Sequence, residues 1–227
     1  MTVRELLLGK TGGKTAWQHL RDRWARGRAR ERWTEELAKV WNPLGLAPGD
    51  LVEIGFADRK AYRVETVLGY RTPPGDPNYV RYGLSEIGAG QVRVLEVMPG
   101  QGEGERLLAL FELVDEFALD RRLLRVLTDE DVLRQTVPDA RGRAVEVDFG
   151  KDYETEASVD VFDAEGHSAV DVVSFNYFAQ EGEGEGEGEE AYLSVEVLEQ
   201  AEWMCFYRGH ALQKSDVVAL GSRAPVG

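Results

Sequence analysis

Two Gly-Lys-Thr triplets near the start of the chain are the residues that most suggest chemistry. They lie in GKTGGKTAWQHL, residues 9–20. A phosphate-binding loop needs G-x-x-x-x-G-K-[ST], in which glycines let backbone amides surround the phosphates and the lysine reaches them. Gly13, Lys14 and Thr15 match the end of that motif, but Leu8 stands where its first glycine should be. The preceding segment is too short and charged for a buried parallel strand, so we expect a linker leading into a helix.

Other residue types that perform catalysis or bind metals are poorly placed. Cys205 and His210 could act as nucleophile and base, but their odd separation along one predicted strand puts them on opposite faces. A calcium loop starting at Val161 would need side-chain oxygens at its first and twelfth positions, and Val172 is the twelfth. No C-x-x-C or H-E-x-x-H spacing occurs. We therefore expect no catalytic residue, no metal and no cofactor, and lean against an enzyme.

Charge is divided unevenly along the chain. Residues 1–41 hold 10 Lys and Arg against 5 Asp and Glu, a net charge of +5, which leaves −19 for the remainder of a chain of net charge −14. An acidic body makes nucleic acid an improbable partner. The single cysteine, the lack of a long apolar run and the lack of an apolar leader lead us to expect a cytoplasmic protein without a transmembrane segment.

A basic, tryptophan-rich helical arm is predicted before Asn42 and Pro43, where the proline ends the helical pattern. Interleaved Arg and Trp could contact an acidic or membrane-associated protein partner; the alternative is that the tryptophans pack against the body. The candidate partner-contact residues are Trp17, Arg21, Trp24, Arg26, Arg28 and Arg30.

Hydrophobic alternation with a period of two begins after Pro48 and recurs almost to the end of the chain. This pattern is typical of antiparallel sheet. We predict a mainly β protein (α+β overall), with two related antiparallel β-units of barrel or sandwich type and an N-terminal helical arm. The predicted divisions are an arm at 1–41, a first unit at 42–137 that ends with a short helix near 129–133, and a second unit at 138–227 with a disordered Glu-Gly loop at 181–190.

The two units are predicted from an internal repeat. YVRYGL (79–84), VRVLEV (92–97) and LLALFELV (107–114) are followed in the same order by VSFNYF (173–178), YLSVEV (192–197) and EWMCFY (202–207). Glu96 and Glu196 occupy the same place in their strands. The acidic residues of these strands are interpreted as surface side chains.

The strand order also resembles a bacterial domain-of-unknown-function family, number 4178. The stretches that carry the resemblance are LAPGDLVEI, AYRVETVLGY, VRYGLSE, VRVLEV, FNYFAQ, AYLSVEVLEQAEWMCFYRGHAL and DVVAL, over most of 46–220. The resemblance implies a β-rich cytoplasmic protein, often encoded beside envelope-stress or membrane-associated genes. It transfers no catalytic residue, and it does not include the arm or the Glu-Gly insert.

Two functional hypotheses follow from the sequence. The first is a non-enzymatic interaction or scaffold protein, linked to envelope or stress-associated assemblies, whose basic arm docks a partner. The second is an enzyme or small-ligand-binding protein with a carboxylate-lined cleft between the two β-units, because clefts between units often bind ligands.

Overall fold

The computed structural model describes residues 35–55, 59–74, 78–88, 92–102, 104–138, 144–163, 166–179 and 191–221. Strands predominate, which confirms the predicted mainly β class. The elements are β1 (Leu51–Ile54), β2 (Lys60–Arg71), β3 (Tyr79–Glu86), β4 (Val92–Pro99), β5 (Arg106–Ala118), α1 (Arg121–Asp129), β6 (Val132–Pro138), β7 (Ala144–Asp163), β8 (Gly166–Ala179), β9 (Ala191–Leu198), β10 (Trp203–Leu212) and β11 (Val217–Gly221).

The strands form one antiparallel sheet that closes on itself. Its order is β11-β1-β2-β3-β4-β5-β10-β9-β8-β7-β6, and β2 also pairs with β7. That additional pairing runs from Thr66 opposite Asp163 to Arg71 opposite Ser158. Eight strands, β2–β5 and β7–β10, therefore form a barrel to which both β-units contribute equally, while β1 with β11 and β6 extend from it.

Side chains from all eight barrel strands meet in one hydrophobic cluster, which identifies that cluster as the barrel interior. Successive side chains of a strand point to opposite faces, and β3 shows the consequence. Tyr79 lies in the interior cluster, whereas Val80 and Tyr82 belong to a second cluster on the outside. Much of β3 is therefore buried on both faces.

Each unit covers its outer face with a segment that precedes its strands. In the second unit this segment is α1, which begins at Asp120, whose side chain accepts hydrogen bonds from two backbone N–H groups at 2.8 and 3.4 Å. Helical spacing places Leu123, Leu124 and Leu127 together against β6–β10. Leu127 is fully buried.

In the first unit, the outer face is covered by residues at the end of the predicted arm. Residues 35–37 are helical, and Leu37 packs with Val40 and Trp41 against the outer cluster. The approach to β2 is close, since a Cβ added to Gly69 would lie 2.3 Å from Val40 Cγ1. Residues 35–41 of the predicted arm therefore pack on the first unit; the rest of the arm lies outside the described residues.

β6 and α1 pack with the second unit, although the predicted division at 138 assigns both to the first. β6 pairs along its whole length with β7, a strand of the second unit, and α1 packs on the same unit. The short helix expected near 129–133 is wrong, because the helix ends at Asp129 and Val132 begins β6. The leucine spacing of 123–127 is helical, whereas the residues from Val132 alternate.

Corresponding β-bulges show how the two copies align. The register of β2 on β3 shifts between Val64 and Thr66, which leaves Glu65 without a partner in the ladder. The register of β7 on β8 shifts between Lys151 and Tyr153, which does the same to Asp152. An extra residue of this kind bends a strand and redirects its side chain.

This alignment differs by one residue from the repeat expected in β3 and β8. The bulges make Gly83 equivalent to Asn176, since these residues face Thr66 and Tyr153 directly after each bulge. Arg81 is then equivalent to Ser174, whereas the sequence comparison had matched it with Phe175. A slip of one residue exchanges the two faces of a strand, so this correction decides which residues face the interior.

None of the described helices has the length and apolar character needed to span a bilayer.

The first test concerns the covering helix. Replacing Leu127 with Ala should lower the free energy of unfolding by about 2–5 kcal/mol, because a fully buried leucine leaves a cavity. The neighbouring Val126→Ala, at a side chain 42% exposed, is the matched control and should have little effect. Equal losses in denaturant titrations of the two variants would contradict the packing of α1 described above.

Candidate functional site

A buried arginine occupies the barrel interior and joins the two copies of the repeat. Arg81 on β3 is 2% exposed. Its Nε donates to Glu96 Oε2 and its Nη1 donates to Glu196 Oε1, both at 2.6 Å. Its Nη2 donates to the Ser194 hydroxyl at 2.9 Å. One guanidinium therefore binds the matching glutamates of β4 and β9, a planar donor set suited to two acceptors at once.

The surroundings of Arg81 are aromatic. Its guanidinium carbon lies 5.4–5.8 Å from four ring centroids, which belong to Tyr70, Tyr79, Phe111 and Tyr207. The Tyr70 hydroxyl also donates to Glu196 Oε1. Burial alone would lower the pKa of Arg81, but Glu196 and Glu96 raise it well above its usual value. The arginine stays charged, and its partners hold it in one position.

A cleft of about 130 Å³ opens beside this network at one end of the barrel. The first unit contributes Glu96, Met98, Leu107, Leu108, Ala109 and Phe111, and the second contributes Asp152, Tyr153, Asn176, Tyr177, Tyr192 and Leu193. The cleft therefore lies between the two β-units. Its walls are mainly aliphatic and aromatic, with carboxylates from both units among them.

Asn176 is an unusual lining residue. It is 8% exposed, and its Nδ2 finds no hydrogen-bond acceptor among the residues that the structure describes. A buried polar group without a partner costs about 1–3 kcal/mol, and most such groups in native proteins are satisfied. The unsatisfied amide therefore destabilises the folded state, and no hydrogen bond within the described residues compensates for it.

The bulge in β7 places two polar side chains at the cleft. Asp152, the bulged residue, is largely exposed, and partial burial raises the pKa of its carboxyl. Tyr153, the next residue, directs its hydroxyl to Met98 Sδ at 3.3 Å across the two units. Burial raises the pKa of Tyr153, with nearby Glu96 adding to the effect. An unbulged β7 would shift the register of these side chains.

A glycine on β10 lets two aromatic walls approach each other. Gly209 lies between Phe111 on β5 and Tyr192 on β9 in the strand register. A Cβ added to Gly209 would stand 2.5 Å from the Phe111 ring. Phe111 and Tyr192 lie with their ring centroids 6.4 Å apart. A larger residue at 209 would displace the Phe111 wall of the cleft.

The structure does not describe the residues predicted as a partner-contact arm. Trp17, Arg21, Trp24, Arg26, Arg28 and Arg30 lie outside the described residues, as do the phosphate-loop-like stretch and the Glu-Gly insert. The hypothesis that the arm captures a partner stays a prediction.

The two residues considered as a nucleophile and base are both in β10. Cys205 is 1% exposed in the interior cluster, and burial raises the pKa of its thiol well above the usual range. The calcium-like stretch is the β7–β8 turn, where Asp163 accepts a hydrogen bond from the Gly166 backbone at 2.9 Å. In the part of the chain that the structure describes, no three His, Cys, Asp or Glu side chains are grouped as metal ligands.

The sequence comparison of the repeats found Glu96 and Glu196 but interpreted strand glutamates as surface residues. They are 4% and 5% exposed. Arg81 and Asn176 were missed, because an alternating strand looks the same whether its polar face meets water or a barrel interior. Two features of the sequence could have indicated this buried network: the two glutamates occupy matching positions in the repeat, and an arginine lies in a strand otherwise rich in large apolar residues.

Comparison with known proteins adds no relative: no family model matches the chain, and neither a curated protein nor a solved structure does.

The second test breaks the buried network. Arg81→Met should lower the free energy of unfolding by about 3–5 kcal/mol, because it leaves buried carboxylates without their cation. Adding Glu96→Gln and Glu196→Gln to the same chain should recover much of the loss. Arg134→Met, which breaks an exposed pair with Asp148, is the control and should change stability little. A triple variant no more stable than Arg81→Met would contradict this account.

The third test uses alkaline pH. Burial raises the pKa of Tyr70, Tyr79 and Tyr207 above the ordinary tyrosine value of about 10. The folded state therefore favours the protonated phenols, so their contribution to stability is complete below about pH 10 and is lost as the pH rises above it. Phenolate absorbance of these residues should appear together with unfolding. Ordinary titration in a protein that remains folded would be the contrary result.

Proposed function

We propose that the protein binds a compact small molecule in the cleft between its two β-units. The unpartnered Nδ2 of Asn176 is the observation that carries this proposal, because a ligand with an acceptor oxygen would satisfy it. Binding sites usually combine apolar walls with a few convergent polar groups. Glu96, Asp152 and the aromatic walls of the cleft have this composition.

The size of the cleft limits the ligand. Its volume of about 130 Å³ is below the roughly 300–1,000 Å³ of sites for drug-sized molecules. Rigid strands from both units supply its lining, so little reorganisation is needed on binding. These features support the second of the two hypotheses drawn from the sequence, in its ligand-binding form.

The burial of Cys205 and the raised pKa of its thiol favour binding over catalysis. The Cys205 thiol is enclosed in the barrel interior with a raised pKa, and a protonated thiol is a poor nucleophile. A buried free cysteine is also compatible with a reducing compartment, which supports our proposal that the protein acts in the cytoplasm.

The fourth test separates function from stability at Asn176. Binding of a library of compact amines, alcohols, amides and carboxylates is measured by ligand-observed NMR on the wild-type protein and on Asn176→Leu. Leucine has a similar size and removes the unsatisfied amide, so the free energy of unfolding should stay unchanged or rise by about 1 kcal/mol. Ligand binding should nevertheless be lost.

The control variant is Asn78→Leu, at an exposed position where the side chain contacts Thr72 and not the cleft. It should bind library members as the wild type does. Either of two results would overturn the proposed function: no library member binds the wild-type protein, or Asn176→Leu folds and binds with unchanged affinity.

A further inference from the structure

The barrel interior holds matching carboxylates without matching cations. Glu96 lies opposite Arg81 in the pairing of β4 with β3. Glu196 lies opposite Ser174 in the equivalent pairing of β9 with β8. The second unit therefore has a serine where the first has its arginine, and Arg81 must serve both glutamates.

The buried network contains two carboxylates but one cation. Within the described residues, Arg81 is the buried side chain that carries positive charge, and it contacts two buried carboxylates. Charges inside a protein are costly unless they are paired. With both glutamates ionised, the network has a formal charge of −1, which one additional cation would balance.

The two glutamates differ in how completely they are held. Glu196 Oε1 accepts from both Arg81 and the Tyr70 hydroxyl. Glu96 is held by Arg81 through Oε2, and no other described side chain donates to it. Glu96 also lines the cleft, whereas Glu196 does not. The additional cation would therefore lie in the cleft, against Glu96.

The remaining cleft residues suit a cation that also carries an acceptor. Asp152 adds a second carboxylate, and Phe111 and Tyr192 also line the cleft, where an aromatic ring can attract positive charge. The Asn176 amide needs an acceptor oxygen. A carboxylate on the ligand would be repelled by Glu96 and Asp152, so a neutral oxygen fits better.

We propose that the cleft binds a compact organic amine with a neutral oxygen, of the amino alcohol or amino amide class. Its ammonium group lies against Glu96 and its oxygen accepts from Asn176. This inference rests on the proposed small-molecule binding at the same cleft, and it names the charge and class of the ligand.

The test uses ethanolamine as the probe, with ethylene glycol, glycine and potassium chloride as comparisons, in calorimetric titrations at constant ionic strength. Ethylene glycol replaces the ammonium by a neutral hydroxyl and should bind at least tenfold more weakly. Glycine keeps the ammonium but has a carboxylate in place of the hydroxymethyl group, and it should also bind at least tenfold more weakly. Potassium chloride should not compete with ethanolamine.

Two variants locate the cation. Glu96→Gln removes the carboxylate proposed to hold the ammonium and should weaken ethanolamine binding at least tenfold. Glu65→Gln is the matched control, because Glu65 is a carboxylate of the first unit that contacts Ser85 outside the cleft. It should bind as the wild type does. If Glu96→Gln fails to fold, the comparison of ethanolamine with ethylene glycol on the wild-type protein decides the question.

The outcomes separate this inference from the function on which it rests. In one outcome, a neutral or anionic library member binds the wild-type protein but not Asn176→Leu, and ethanolamine binds no better than ethylene glycol. This result would support the binding function and overturn the inference that the ligand is a cation. Competition by potassium makes the site one for an inorganic cation and also overturns it. If no compact molecule binds at all, both proposals fail.

Discussion

One guanidinium shared by two carboxylates organises the interior of this barrel. Arg81 reaches a glutamate from each β-unit at 2.6 Å, while four aromatic rings surround it. A charge this deeply buried is tolerated only with complete pairing. The strands that carry Glu96 and Glu196 must therefore hold their register relative to β3. The network thus ties the two units to each other by polar contacts, in addition to the closed hydrogen-bonded ring.

The correspondence of the two units explains much of the order of this structure, and one difference between them lies at the cleft. Each unit has a covering segment, an acidic bulge and an interior glutamate in corresponding places. The copies differ where Arg81 is matched by Ser174, and the small serine leaves the second glutamate dependent on the first unit. The same face of β8 carries Asn176, which opens on the cleft. The proposed ligand would therefore bind where the two copies differ.

Much of the fold follows from local patterns in the sequence. Strict alternation predicted most strands, and the repeated order of strands predicted two related units. β6 and α1 were missed for identifiable reasons. β6 carries Arg134 and Gln135 in a short segment, and it is a strand because β7 extends beyond the barrel to pair with it. α1 is only nine residues long, and packing of its leucines stabilises it more than helical propensity does.

The sequence by itself determined the mainly β class, the repeated order of strands and the correspondence of Glu96 with Glu196. Only the tertiary structure decided that these glutamates are buried and that Arg81 joins them. Alternation separates two faces of a strand but does not say which face meets water. Here the pairing of β2 with β7 closes the ring and turns a polar face inward. Ring closure depends on contacts between distant residues, so the site at the barrel interior is a property of the fold and not of any one segment.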